Sequence, residues 1–429
     1  MKLLIIGCGG VGQSLGELLK QADSKKEWLE LCVLSDCDVS KPEKKIKELN
    51  EDRFKAEKID AKDEANIKSV IEEYGVDTVI NACDPSFNPV IFDAAFDLGV
   101  IYIDLALSLS EKHPTDPFNK CGVMLGDYQF NKHEEWKEKG LMALLGIGVT
   151  PGITDIYAKY AAEYLMDEID EIHIRCGGDV SIEDSPAVAF TWSPWTAIEE
   201  CTTPSVFYDK KKGGFYTKEP FADHEVFNLP VTGDCDLASV EHEDVIMIAR
   251  NIDCNVVDFK ISFGQEFEYC VKYLEALGLD RVDKTVKFGN EEIRPRDFVQ
   301  KCAPDPGIYT DRMRGKFVVA VQVLGKKDGL ERNAVLYTYG DAEEVYERYH
   351  SQLTVLLSAY PTAIAVELIA KGLWKGEGVF APEAFPSKPF IERMESYGFP
   401  PFVSDYDSEY KLVSDKEAVL KNMKRINEK

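Results

Sequence analysis

Met1-Lys2-Leu3-Leu4-Ile5-Ile6-Gly7-Cys8-Gly9-Gly10-Val11-Gly12 opens the chain. Leu3 to Ile6 has the character of a buried strand, and it runs straight into G-x-G-x-x-G, carried by Gly7, Gly9 and Gly12. In that order, Gly7 permits a tight turn, Gly9 lets backbone approach a phosphate, and Gly12 lets a helix pack close to the strand. The helix N-terminus then presents partial positive charge to an anion. The stretch predicts a dinucleotide pyrophosphate site built from Gly7, Gly9, Gly10, Val11 and Gly12.

The flanking sequence supports this reading. Ser14 to Lys20 continues as an amphipathic helix, and Leu29 to Leu34 is the next strand, ending in Ser35-Asp36. A carboxylate there accepts hydrogen bonds from a ribose 2′-OH and repels a 2′-phosphate, so NAD is expected over NADP. Alternation continues through a strand at Phe54 to Ile59, followed by Asp60, which is placed to meet the adenine amino group. A helix at Glu64 to Tyr74 leads to a strand at Val76 to Cys83. Asn88 is read as the cap of the next helix, with Pro89 at its first position. Strands at Val100 to Asp104 and Leu141 to Gly146 complete the set. Such βαβ alternation implies an α/β architecture: a Rossmann doubly wound parallel sheet, with a second α+β substrate and dimerisation domain after it.

The chain has 429 residues, long for one hydrophobic core. The expected division is a dinucleotide-binding domain at 1–150 and a substrate and oligomerisation domain at 151–350. A helical segment at 351–404 returns to the first domain, and 405–429 is a polar tail. A net charge of −26 argues against nucleic acid or anionic membrane as partners. The eleven cysteines and six histidines are scattered without ligand spacing, so no metal site is expected, and the thiols suit a reducing cytoplasm. Ile5-Ile6-Gly7-Cys8 resembles a lipoprotein processing site, but seven preceding residues are too few for a signal peptide. The most apolar run, Val355 to Ala370, contains Pro361 and Glu367, and it is expected to break at Tyr360-Pro361. These readings point to a soluble, cytoplasmic protein, and a homo-oligomer, a dimer, is expected.

Beyond Gly152 the segments become longer, more aromatic and hairpin-like. Gly315 to Leu324 and Asn333 to Tyr339 flank an Asp328-Gly329 turn. In an open parallel sheet, ligands bind beyond the carboxyl ends of the strands. Asn81, Ala82 and Cys83, then Asp104, then Thr150, Pro151 and Gly152 therefore face the cofactor. Asp104, Asp155 and His242 are the candidate acid–base groups. Arg175, Arg250, Arg294, Arg296, Arg312 and Arg314 are candidate carboxylate clamps. Trp192-Ser193-Pro194-Trp195 offers an aromatic wall for a substrate stem or for a packing interface.

Taken in order, these motifs resemble the saccharopine dehydrogenase-like family. The resemblance rests on Gly7 to Gly12, Val79-Ile80-Asn81-Ala82, Tyr102-Ile103-Asp104 and Leu144-Leu145-Gly146-x-Gly148-x-x-Pro151-Gly152. It continues through Ala303-Pro304-Asp305-Pro306, Lys327-Asp328-Gly329 and Gly372-Leu373-Trp374-Lys375. It implies hydride transfer between a nicotinamide and the amine-bearing carbon of an amino-acid substrate, lysine-like or saccharopine-like. It also implies that Asn81, Ala82 and Thr150-Pro151-Gly152 line the nicotinamide side. NADP-linked members tend to carry Ser-Arg where this chain has Ser35-Asp36. Two alternatives stay open: an NADPH-dependent reductase forming a carboxylated polyamine, and a non-catalytic NAD-binding protein.

Overall fold

Strand β1 (Lys2–Ile6) is the axis of the first sheet, with Leu3, Leu4 and Ile5 fully buried. The structure, a computed structural model, describes residues 1–184, 188–406 and 424–426. On one side β1 pairs in parallel with β2 (Leu31–Asp36), which pairs with β3 (Phe54–Lys58). On the other side it pairs with β4 (Thr78–Asn81), and the sheet continues through β5 (Ile101–Asp104) and β6 (Met142–Leu144). A strand from far along the chain, Gly378–Phe380, pairs in parallel with β6 and makes the seventh. Strand order reverses between β1 and β4, so their carboxyl ends open the crevice where such sheets bind ligands.

Helix α1 (Gly10–Ala22) returns from β1 and buries Gly12, Leu15, Gly16, Leu18 and Leu19 on one face. At Gly16 a Cβ would stand 3.3 Å from a Leu34 methyl, so the small residue allows the helix to lie against β2. Two local expectations fail here for physical reasons. Asn88 is not a cap: it is already helical, after a 3-10 turn at Pro85–Phe87. Its amide is instead drawn inward to Asn81 and to the Ala106 carbonyl. Nor does the chain break at Pro361. Helix Leu353–Ala370 is continuous, with Tyr360, Ala363 and Ile364 buried completely. Thr362 donates its hydroxyl to the Ile147 carbonyl at 2.6 Å, and packing around the helix outweighs the amide proton that proline lacks. This helix is long and apolar enough to cross a membrane, yet 78% of it is buried in the protein, as in a core helix. Its Glu367 is neutralised by Lys371 and Arg393 and accepts from the Tyr397 hydroxyl.

The chain divides into two compact units. The first comprises Met1–Glu111, Val123–Glu163 and Val355–Pro400, and the second Lys112–Gly122, Tyr164–Thr354 and Pro401–Lys429. The second is built on a ten-stranded mixed sheet. Its long strand β7 (Glu168–Gly178) pairs in parallel with Val256–Ile261 and antiparallel with Lys316–Lys327. The hairpin read from the sequence is present and longer than expected: Lys316–Lys327 pairs with Leu330–Asp341 around Asp328 and Gly329, both at positive φ. Phe227, Leu237, Val318, Val335 and Tyr337 form an apolar cluster on this sheet.

Candidate active site

The glycine turn has the geometry its sequence requires. Gly7 sits at φ +103°, and a Cβ there would meet the Ala82 carbonyl oxygen at 2.6 Å. A Cβ on Gly12 would lie 1.9 Å from the Gly7 carbonyl oxygen, so only glycine lets α1 start this close to β1. Nothing lies within 4 Å of where a Gly9 Cβ would be. That open space, above the first turn of a 13-residue helix, fits the pyrophosphate of a dinucleotide. Residues Gly7, Gly9, Gly10, Val11 and Gly12 would hold it.

Asp36 ends β2 beside this loop. Its Oδ2 accepts from the Cys8 N–H at 3.0 Å and its Oδ1 from the Asp38 N–H at 3.0 Å. Lys41 Nζ stands 3.6 Å away on a half-exposed side chain. Burial, reinforced by the Asp36 charge, pushes the Cys8 thiol up to about 12, so it is not a nucleophile. Cys83 is also driven far above the thiol range by burial, and its sulfur lies against the Ile6 carbonyl. Asp60 occupies an exposed turn past β3, where it accepts from Lys62 N–H.

A polar network lies under the ends of β4 and β5. Asn81 Nδ2 donates to Asn88 Oδ1 at 2.8 Å and to the Tyr102 hydroxyl at 3.2 Å, while Asn81 Oδ1 accepts from Cys83 N–H. Asp104, 1% exposed, accepts from Gly146 N–H at 2.7 Å and from Gln129 Nε2 at 2.6 Å. Gln129 in turn accepts from Ser108 N–H. Asp104 thus clamps the loops that follow β5 and β6, its Oδ1 holding the Gly146 backbone and its Oδ2 the Gln129 and Asn88 side-chain amides.

The turn after β6 is equally tight. Thr150-Pro151 is cis, and Gly152, at φ +129°, would place a Cβ 2.1 Å from the Gly148 carbonyl oxygen. Asp155, fully buried, accepts from the Gly152 N–H at 2.7 Å and closes the first turn of α5 (Ile153–Tyr160). The first unit therefore gathers the glycine loop, Asp36, Asn81, Ala82 and Cys83 at the ends of β1, β2 and β4. Asp104, Thr150, Pro151, Gly152 and Asp155 gather at the ends of β5 and β6.

His242 is not among them; it belongs to the second unit. It is 5% exposed, stacks on Phe259 with centroids 3.7 Å apart, and places Nδ1 2.5 Å from Asp244 Oδ2. Burial alone favours the neutral imidazole, but Asp244, Glu243 and Glu200 outweigh it and raise the pKa to about 9. Around it lie Glu199 and Glu200, on helix α6 (Pro194–Thr202), and Glu241 and Glu243. Glu241 N–H donates to the Glu200 carbonyl. Glu199 accepts from the Thr203 hydroxyl, and burial raises its carboxyl pKa despite nearby Arg296. Burial pushes Glu200 up to about 8, moderated by His242.

Most of the candidate arginine clamps are already occupied. Arg175 is buried against Asp258 and Glu225, Arg294 holds Asp297, and Arg314 holds Glu183. Arg312 lies over the Tyr309 ring, and Arg250 is exposed at a helix end. Arg296 differs: it is 6% exposed, lies over the Trp195 ring at 4.7 Å and donates Nε–H to the Asp280 carbonyl. Sequence reasoning did not single out Glu199, Glu200 or Gln129. The adjacent pair of glutamates inside the otherwise apolar α6 was the available signal.

Two family models cover nearly the whole chain. The saccharopine dehydrogenase NADP binding domain matches residues 3–144, and the saccharopine dehydrogenase C-terminal domain matches residues 148–399. The chain belongs to the saccharopine dehydrogenase family. Among its curated relatives, carboxyaminopropylagmatine dehydrogenase of Synechocystis is 25% identical over 93% of this chain and 96% of its own length. Carboxynorspermidine synthase of Vibrio cholerae is 26% identical over 93% of this chain and 95% of its own. Of solved structures, saccharopine dehydrogenase (L-Glu forming) of Saccharomyces cerevisiae matches with a TM-score of 0.64 at 15% identity, covering 95% of this chain and all of that one. That last likeness concerns the fold. Family membership makes the protein an NAD(P)-dependent oxidoreductase acting on CH–NH groups. The non-catalytic alternative is thereby set aside.

Proposed function

We propose that the substrate is a secondary amine joining an amino-acid unit to a cationic amine chain, of the carboxynorspermidine type. The observation that carries this reading is the acidic group around His242, made of buried Glu199, Glu241, Glu243 and Asp244 with half-buried Glu200. Five carboxyl groups gathered around one histidine make this region strongly acidic, and an alkylammonium chain is the ligand that complements it. The curated relatives of full length act on carboxylated polyamine-type compounds by name, which supports the same class over a lysine-like substrate.

The bound nicotinamide supplies hydride chemistry; this chain supplies position and charge. In the oxidative direction the substrate's amine-bearing carbon loses a hydride and its nitrogen a proton. The resulting C=N bond is resolved by water into an amine and a carbonyl compound. Reductive condensation is the reverse. The glycine loop would hold the pyrophosphate, and the Asn81 and Asp104 networks fix the strand-end loops that would lie beside it. Protonated His242, paired with Asp244, keeps the acidic group from carrying its full negative charge.

We propose NAD as the preferred cofactor, because Asp36 stands where a 2′-phosphate would otherwise meet a cation. The family model bears NADP in its name, and Asp36 is the feature of this chain that favours NAD instead. The eleven cysteines, none in a disulfide, favour a reducing compartment such as the cytoplasm. A homodimer is likewise proposed. Turnover of carboxynorspermidine against lysine and saccharopine, with each cofactor in turn, tests the reading; lysine as the sole substrate would overturn the substrate class.

A further inference from the structure

Arg296 makes no ion pair among the described residues, although Glu199, Asp280 and Asp297 lie close enough to act on its charge. It opens the helix Pro295–Cys302 and is 94% buried against α6. Its Nε–H donates to the Asp280 carbonyl at 2.6 Å, which fixes the guanidinium plane. The plane lies over Trp195 at 4.7 Å, and the Trp195 Nε1–H is itself tied to Asp297 Oδ1 at 3.1 Å. Among the described residues no carboxylate forms an ion pair with it, although Arg294, two positions away, has taken Asp297. Glu199, the nearest acidic influence on it in α6, is turned to the Thr203 hydroxyl. The fork is thus pre-oriented by one carbonyl and one indole, while its terminal amino groups lack an anion. Burial lowers the guanidinium pKa, and Glu199, Asp280 and Asp297 offset that only in part.

We infer that Arg296 is the substrate-carboxylate clamp, and that with Glu199 and Glu200 it forms an amphoteric subsite selecting a zwitterionic amine. The carboxylate of the amino-acid unit pairs with the terminal N–H groups of Arg296, and the ammonium of the chain faces the α6 glutamates. Residues of two packed helices thereby read the two charges of the substrate. The inference rests on the proposed substrate class and names the residue that enforces it. Bidentate arginine–carboxylate pairs are strong because both N–H bonds are charge-assisted and planar. Trp195 keeps the fork in that plane, so a lysine at this position retains the charge but loses the geometry.

The test compares carboxynorspermidine with the same compound carrying a carboxamide in place of the carboxylate. The wild-type enzyme is expected to favour the carboxylate in kcat/KM by about 10–100-fold, the worth of one charge-assisted pair. Arg296→Gln is expected to raise KM for the carboxylate at least about tenfold, with kcat changed far less, and to bring the two compounds within about threefold. Arg296→Lys is expected to fall between, which keeps the test open should the glutamine variant fold poorly. Cofactor binding, followed by nicotinamide fluorescence, is expected to be unchanged in both variants. A discrimination ratio preserved in Arg296→Gln, or in Arg296→Lys where only that variant folds, overturns the clamp and leaves the substrate class standing. Turnover of neither compound by the wild-type enzyme overturns the substrate class and the clamp with it.

Discussion

Asp36 Oδ2 accepts a hydrogen bond from the Cys8 backbone N–H at 3.0 Å. The acid that ends β2 therefore braces the glycine loop, and the NAD preference proposed above would couple cofactor choice to loop shape. Asp36→Ser removes both the brace and the 2′-OH acceptor. NAD affinity is expected to fall about 10–100-fold, in keeping with loss of one or two hydrogen bonds to a charged acceptor. NADP affinity is expected to fall less or to rise. Fluorescence titration of both reduced cofactors checks this, and tighter NADPH binding by the wild-type protein would contradict the role given to Asp36.

Gly9, which caps α1, and Gly12, in its first turn, are expected to respond in opposite ways. Gly9→Ala meets open space, so the melting temperature should stay within about 2 °C while cofactor affinity drops at least tenfold. Gly12→Ala drives its methyl into the Gly7 carbonyl oxygen and should cost about 2 kcal/mol or more of stability. Denaturant melts and cofactor titrations on both variants separate the two effects. Equal destabilisation would contradict the reading of Gly9.

Asp104→Ala leaves the Gly146 N–H and the Gln129 amide buried without their acceptor. A loss of about 2–4 kcal/mol is expected, with weaker cofactor binding as the loops after β5 and β6 loosen. A fully stable variant that lacks only turnover would instead identify Asp104 as an acid–base group.

Much of the first unit was legible because it is built from local signals. A four-residue apolar run, a glycine spacing and a terminal acid each act within a few residues of themselves. The same locality misled at Asn88, whose cap-like position before Pro89 says nothing of the buried Asn81 seven residues earlier that claims its side chain. Pro361 reads as a break only to a rule that counts lost backbone bonds and not the packing on every side of that helix. The pairing of Gly378–Phe380 with β6 joins residues more than 230 positions apart, and no periodicity encodes it. Asp104 and Asp155 were found as residues, but their backbone partners, and so their bracing parts, belong to tertiary structure. The glutamates of α6 were overlooked because acids are plentiful in a chain of net charge −26.

His242 makes the second unit's stability fall in alkali. Its pKa of about 9 lies above the ordinary 6.5, so the native state keeps a proton that the unfolded chain releases. That contribution is whole below about pH 6.5 and is lost as pH rises through about 9. Glu200, at about 8 against an ordinary 4.5, acts with the same sign over its own window. The melting temperature is expected to drop by several degrees between pH 6.5 and 9, a change on the order of 1–3 kcal/mol. His242→Asn is expected to flatten that slope, and an unchanged slope would contradict the pairing with Asp244.

The central claim is oxidoreduction at the C–N bond of a carboxylated, cationic secondary amine. The most direct measurement is the absorbance of reduced nicotinamide when purified protein is mixed with carboxynorspermidine and NAD, and then with NADP. The account predicts saturable cofactor reduction, faster with NAD than with NADP and far faster than with lysine or saccharopine. No reduction with carboxynorspermidine and either cofactor, alongside brisk reduction with lysine or saccharopine, would contradict it.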